Sequence, residues 1–192
     1  AGTSLFNSDV AAQVITLDSI NAMTGAVSIT HTGAADVSID NGTTALDLGT
    51  VSVGQNFEAI SGGGITDSGV ITVAGTSLFN SDVAAQVITL DTTTNAMTGA
   101  VSITHTGAAD VSIDNGTTAL NLGTVSVGQN FTAQSGGVIS DSGVITVAGT
   151  ATFVTDVDDT DIILNSANAI TGAITFTTQS SGANGADVTL NN

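Results

Sequence analysis

Short runs of alternating apolar and polar residues recur along the whole chain. Examples are Val14-Ile15-Thr16-Leu17, Val27-Ser28-Ile29, Val37-Ser38-Ile39, Val51-Ser52-Val53 and Val70-Ile71-Thr72-Val73. A period of two predicts strands: in Val-Ser-Ile the two apolar side chains point one way and Ser the other. No segment keeps apolar residues at i, i+3, i+4 and i+7 over several turns, so no helix is predicted. Clusters such as Asn41-Gly42-Thr43-Thr44 and Ser61-Gly62-Gly63-Gly64 separate the runs and read as turns.

These runs belong to a longer repeat. Residues 74–147 form a block of 74 residues; 1–73 is an earlier copy and 148–192 begins a third, incomplete one. A fixed period of this size marks a solenoid, in which the whole of 1–192 is one continuous segment without a single central core. One repeat divides into three coils, 36–54, 55–75 and 76–109, of 19, 21 and 34 residues. Strands are predicted near Val37, Leu46 and Val51, near Phe57, Ile65 and Val70, and near Leu78, Val87 and Val101. Three strands per coil predict an all-β parallel β-solenoid (β-helix) of roughly triangular section, with about eight coils and a length of roughly 38 Å. The long third coil is expected to carry a bulge or excursion at 91–99. Because the first and last residues fall mid-pattern, the chain is expected to be a piece of a much longer protein.

Composition narrows the partners. The chain has no Lys or Arg and 17 Asp plus Glu, a formal charge of −17. Phosphate-backbone binding rests on Lys and Arg, so no nucleic acid partner is expected; anionic membrane surfaces are disfavoured for the same reason. No apolar run approaches the ~18 residues of a span, so no membrane insertion is expected in this segment. Cys is absent, which removes disulfides and thiolate metal sites. Aromatic residues make up only 3%, so Val, Ile, Leu and Ala must build the interior.

Three phrases carry a resemblance: Gly-Gly-Val-Ile-Ser-Asp-Ser-Gly-Val-Ile-Thr-Val (136–147), Ala-Leu-Asn-Leu-Gly-Thr-Val-Ser-Val-Gly (119–128) and Asn-Ala-Ile-Thr-Gly-Ala-Ile-Thr-Phe (168–176). They resemble the β-strand repeats of giant bacterial surface proteins of the filamentous-haemagglutinin type of adhesin. The resemblance implies a right-handed solenoid, exported to the bacterial cell surface or extracellular space.

Candidate chemistry is sparse. His31 and His105 occupy equivalent positions three coils apart. That is ~14 Å at the strand spacing, too far to share one zinc ion, so each reads as a surface His in a turn. Acidic residues recur as Asp9, Asp82 and Asp156, as Asp36, Asp110 and Asp187, and as Asp67 and Asp141. The densest cluster, Asp156, Asp158, Asp159 and Asp161, is the candidate calcium site; its alternative is a solvated loop. Several acidic positions become neutral between copies (Asp47 to Asn121, Glu58 to Thr132, Asp91 to Asn165), which a charge-dependent site would not tolerate. No catalytic residues are assigned: there is no aromatic sugar platform and no Gly-x-Ser-x-Gly elbow. A Thr-x-Thr face would suggest ice binding, but the outward positions carry single hydroxyls (Ser28, Ser38, Ser52, Thr72) with varied neighbours. Asn41-Gly42-Thr43, Asn115-Gly116-Thr117 and Asn130-Phe131-Thr132 fit the glycosylation sequon, with the turn reading preferred for Asn-Gly. The six Phe residues, with Met23, Met97 and Ile170 in equivalent places, read as core.

The expected function is a structural repeat segment of an extracellular bacterial surface fibre or adhesin, a stiff anionic stalk that is not an enzyme and needs no cofactor. Its partners are other copies or further repeats of the same chain, end to end or lateral. The alternatives are a solenoid face that binds carbohydrate or a receptor, and a filament subunit that stacks end to end.

Overall fold

The computed structural model describes residues 2–8, 10–19, 21–81, 83, 85–105, 107–182 and 185–192. The first two turns hold β1 (Ser4–Ser8), β2 (Ile15–Leu17), β3 (Val27–His31) and β4 (Val37–Asp40). β5 (Leu46–Val53) and β6 (Phe57–Ser61) follow, then β7 (Ile65–Asp67), β8 (Ile71–Val73) and β9 (Ser77–Ser81), and β10 (Ile88–Leu90), β11 (Ala96–Met97) and β12 (Ala100–His105). The later turns hold β13 (Val111–Asp114) and β14 (Leu120–Val127), then β15 (Phe131–Ser135), β16 (Ile139–Asp141) and β17 (Ile145–Val147). β18 (Ala151–Asp158), β19 (Ile162–Leu164), β20 (Ala169–Ile170), β21 (Ile174–Gln179) and β22 (Val188–Leu190) complete the chain. Among the described residues there is no helix, hence none long and apolar enough to cross a membrane.

Every strand pairing among the described residues is parallel, and most strands pair with one a turn earlier and one a turn later, whereas β11 pairs only with β8. The fold is therefore a parallel β-solenoid of about eight turns. Its hydrogen bonds form two sheets, which resolve into three ladders because β5 and β14 each bend across two of them. One ladder runs β1, β3, the second half of β5, β8 and β11. It resumes with the first half of β14, β16, β19 and β22. A second runs from the first half of β5 through β7, β10, β13, β15 and β18 to β21. The third runs β2, β4, β6, β9, β12, the second half of β14, β17 and β20. The chain visits the three in strict rotation, which gives the triangular section predicted from the strand count.

The rotation corrects one expectation. Residues 76–109 are not one long coil with an excursion. They hold four strands, β9 to β12, and make one and a third turns. β11 lies inside the segment taken for a bulge and pairs with β8. The 74-residue repeat is thus ten sides, or three and a third turns, and equivalent strands of successive repeats lie on different ladders. β4, β13 and β22 share the pattern Val-x-Ile/Leu, yet β4 is on the third ladder, β13 on the second and β22 on the first.

The alternation read from the sequence is the burial pattern of the fold. In β3, β6 and β9 the first, third and fifth residues are buried and the others half-buried. Val27, Ile29, Val37, Ile39, Leu46, Leu48, Ile103 and Ile113 belong to one continuous core. Phe rings extend this core along the axis: Phe57 and Phe79 lie 6.0 Å apart, as do Phe131 and Phe153, and Phe153 stacks on Phe176 at 5.6 Å. Met97 and Ile170 are buried as expected, and Met23 packs against the same cluster.

Phe153→Ala removes a fully buried ring with neighbours on both sides along the axis. The expected loss is about 3–5 kcal/mol. Because contacts run only between adjacent turns, amide-exchange protection should fall between Phe131 and Phe176 and persist over β4 to β8. Hydrogen exchange read by mass spectrometry checks this.

Candidate functional site

Asn side chains complete the ladders at the corners. Asn115 Oδ1 accepts the Met97 N–H (2.8 Å), and its Nδ2 donates to Met97 O (3.0 Å), so one amide joins β11 to the next turn in place of a backbone pair. Asn41 bonds Met23 in the same way, and Asn192 bonds Ile170. Asn95 and Asn168 accept the N–H groups of Ile71 and Ile145. After Asn41 and Asn115 the chain turns through Gly42 and Gly116 at φ +58° and +56°. A Cβ on Gly116 would lie 2.8 Å from the carbonyl oxygens of Thr93 and Asn95, so glycine is required there twice over. This bears out the turn reading of both Asn-Gly pairs. Asn130 Nδ2 in turn donates to Asp110 Oδ1 at 3.0 Å.

The recurring carboxylates anchor turns. Asp141 accepts the N–H groups of Asn165 (2.9 Å) and Ser166 (3.2 Å) and the Asn168 amide (2.7 Å). Asp67 does the same for Asp91, Thr92 and Asn95. Asp36 and Asp110 hold Asn56 and Asn130 on the following turn. In a chain without Lys or Arg, backbone N–H and amide groups are the available partners. Asp9 and Asp82 lie outside the described residues.

The candidate calcium ligands are spread apart. Asp156 and Asp158 lie at the exposed end of β18; Asp159 follows at φ 57°, and Asp161 is half-buried. Asp156 accepts from Gln134 on the preceding turn, at 3.4 Å. Asp159 and Asp161 accept from Ser180 (3.4 Å) and from the Asp187 N–H (2.8 Å) on the following turn. Their carboxylates thus face opposite ends of the rod. Among the described residues no three His, Asp or Glu side chains gather as a metal ion needs.

Both His residues differ from expectation. His31 and His105 end β3 and β12 with no solvent exposure. Each ring donates through Nε2 to a carbonyl oxygen, that of Gln13 and of Gln86 respectively. They clip down the outlooped corners before β2 and β10, where Ala12 and Ala85 adopt φ 63° and 64°. The corner needs a buried donor, and a surface turn does not. The two also lie three and a third turns apart, about 16 Å along the axis, on different ladders. An open groove of about 360 Å³ lined by Ser126, Thr146 and Thr171 lies beside His105, and one of about 340 Å³ lined by Ser52, Thr72 and Thr98 lies at the equivalent place in the earlier repeat.

One surface feature escaped the sequence. Along the second ladder, Asp47, Thr66, Thr89, Ser112, Thr132, Thr152 and Thr175 stand in register, so six consecutive turns present a row of hydroxyls. They come from unlike positions of the repeat, and no reading along one strand collects them. On the third ladder the corresponding row is mixed: Thr16, Ser38, Glu58, Leu78, Ser102.

Among the described residues, Asp114, beside Asn115, is the acid whose ionisation is clearly perturbed. Burial raises its pKa above 3.8, and the charges of Asp156, Asp91 and Asp67 push it the same way, against the hydrogen bond from the Gly116 N–H.

These features define the class: a three-sided parallel β-solenoid of tandem repeats whose Asn side chains complete the ladders at its corners. More narrowly, the chain belongs to the family described as repeats of unknown function (DUF5649), whose model matches residues 34–104 and 108–177. The two matches start one 74-residue period apart. No curated protein and no solved structure matches the chain.

Asp114→Asn keeps the acceptor for Gly116 and removes the charge. A raised native pKa means that the folded state binds the proton more tightly, so this group's stabilisation is present at acid pH and is lost as pH rises through that pKa. The variant is therefore expected to melt above the wild type at pH 7. The difference should vanish below pH 3.8. Thermal melts across pH 3 to 8 read it.

Proposed function

We propose that this chain is a structural repeat segment of an extracellular bacterial surface fibre or adhesin, acting as a stiff anionic stalk. The observation that carries the reading is the ratio of ten sides per repeat to three sides per turn. Each copy of a surface feature is turned onto a different face, so no face collects the features of successive repeats, as suits a rod that projects or connects. Three stacks of strands along the axis resist bending, and a charge of −17 opposes unspecific clumping. The likeness of 119–128, 136–147 and 168–176 to surface-adhesin repeats supports export to the cell exterior. The partners in this reading are further repeats of the same chain, stacked end to end or side by side. It requires no catalysis and no cofactor.

Electron microscopy and fibre diffraction of native material test it. The expected result is a filament with strand spacing of about 4.8 Å, a sequence-repeat spacing of about 16 Å, and face recurrence after about 48 Å. A compact particle without axial order overturns it.

The hydroxyl row from Thr66 to Thr175 favours a second reading, a solenoid face that binds glycan. Retention of the chain on a glycan array, lost in Thr132→Val, would place this reading ahead of the stalk. No retention would dismiss it.

A further inference from the structure

Two of the chain's three Asn-Gly pairs, Asn41-Gly42 and Asn115-Gly116, form corners that hold a chemistry a mechanical role does not use. In Asn-Gly the glycine backbone nitrogen is unusually free to attack the Asn side-chain Cγ. Ammonia leaves, a succinimide ring forms, and water opens the ring to aspartate or isoaspartate. The reaction needs a mobile side chain, a free glycine N–H and water at the ring.

The closed turn withholds all three. Asn115 has no solvent exposure. Its Nδ2, the leaving nitrogen, lies within hydrogen-bond distance of the carbonyl oxygens of Met97 (3.0 Å), Thr118 (3.1 Å) and Ala119 (2.9 Å), while Oδ1 accepts the Met97 N–H at 2.8 Å. The nucleophile is engaged too: the Gly116 N–H donates to Asp114 Oδ1 at 2.8 Å. Gly116 O accepts from Gly136 at 2.6 Å, which pins the peptide from the next turn. Asn41 repeats the arrangement. Its Nδ2 faces Met23, Thr44 and Ala45 at 3.0, 3.1 and 2.9 Å, Gly42 donates to Asp40 at 2.8 Å, and Gly62 caps Gly42 at 2.6 Å.

We propose that Asn41 and Asn115 are conditional modification sites, silent in the closed turn and converted by water to aspartate or isoaspartate when that turn opens. The change is one-way. A carboxylate offers only acceptors where Nδ2 met three carbonyl oxygens, and isoaspartate adds a carbon to the backbone at a corner with no room for it. Each corner therefore keeps a chemical record of its turn having opened.

The full chain is incubated at pH 8 in native buffer, in graded denaturant, and in guanidinium concentrated enough to abolish the β-sheet signal. Cleavage at acidic residues, since the chain offers trypsin no site, then locates the gain of about one mass unit per event by mass spectrometry. Both corners should convert in the unfolded chain. The native rate should be lower by roughly a hundredfold or more and should climb with sub-denaturing denaturant, as for reactions gated by local opening. A native rate equal to the unfolded one, or one indifferent to denaturant, overturns the proposal. Asn41→Asp and Asn115→Asp carry the product directly: both should melt below the wild type, and a wild-type melt would overturn the one-way character.

Discussion

Backbone hydrogen bonds between successive turns hold this molecule, and they form only if each turn returns its strand onto the strand before. The return distance varies from 19 residues, where Leu46 lies beneath Ile65, to 26, where Ile162 lies beneath Val188. The corners absorb most of that variation, and register shifts between β3 and β5, β12 and β14, and β18 and β21 take up the rest. At a corner the ladder must break, and the buried donors and acceptors left there need other partners. Asn41, Asn95, Asn115, Asn168 and Asn192 supply them by using a side-chain amide as a peptide group. The interior can then be built mostly from aliphatic side chains, because it needs only to fill the space that the ladders enclose.

The same constraint governs the charges. With no cation in the chain, ion pairing with Lys or Arg is unavailable to its carboxylates. Asp67 and Asp141 are used where a turn would otherwise leave N–H groups unpaired, and each takes three such bonds. Asp114 shows the limit of this arrangement. Its corner is buried enough, and near enough to Asp67, Asp91 and Asp156, that its pKa is raised despite the bond from Gly116.

Ten sides per repeat against three per turn leaves a remainder of one, and that remainder organises the surface. It turns Phe79 onto a different face from Phe6, and His105 from His31. It also brings unlike residues into line, so the hydroxyl row from Thr66 to Thr175 draws on positions that share no motif.

Much of the fold was legible. Strands stand at Val37, Leu46, Val51, Phe57, Ile65, Leu78 and Val101, where alternation marked them, and Asn-Gly turns where glycine's freedom is needed. β11 was hidden because two residues cannot display a period, and missing it made a turn and a third look like one turn. The His residues were misread because a polar residue at a strand end gives no sign along the sequence of whether a loop folds over it. The carboxylates of 156–161 are close in the chain, yet their hydrogen bonds reach to opposite turns. Period, strand positions and the inward or outward sense of each side chain follow from local chemistry, since covalent geometry sets the alternation. Which strands lie above one another, which side chains share a face and which polar groups are buried were decided by closure of the turn, a long-range condition that no window of the sequence contains.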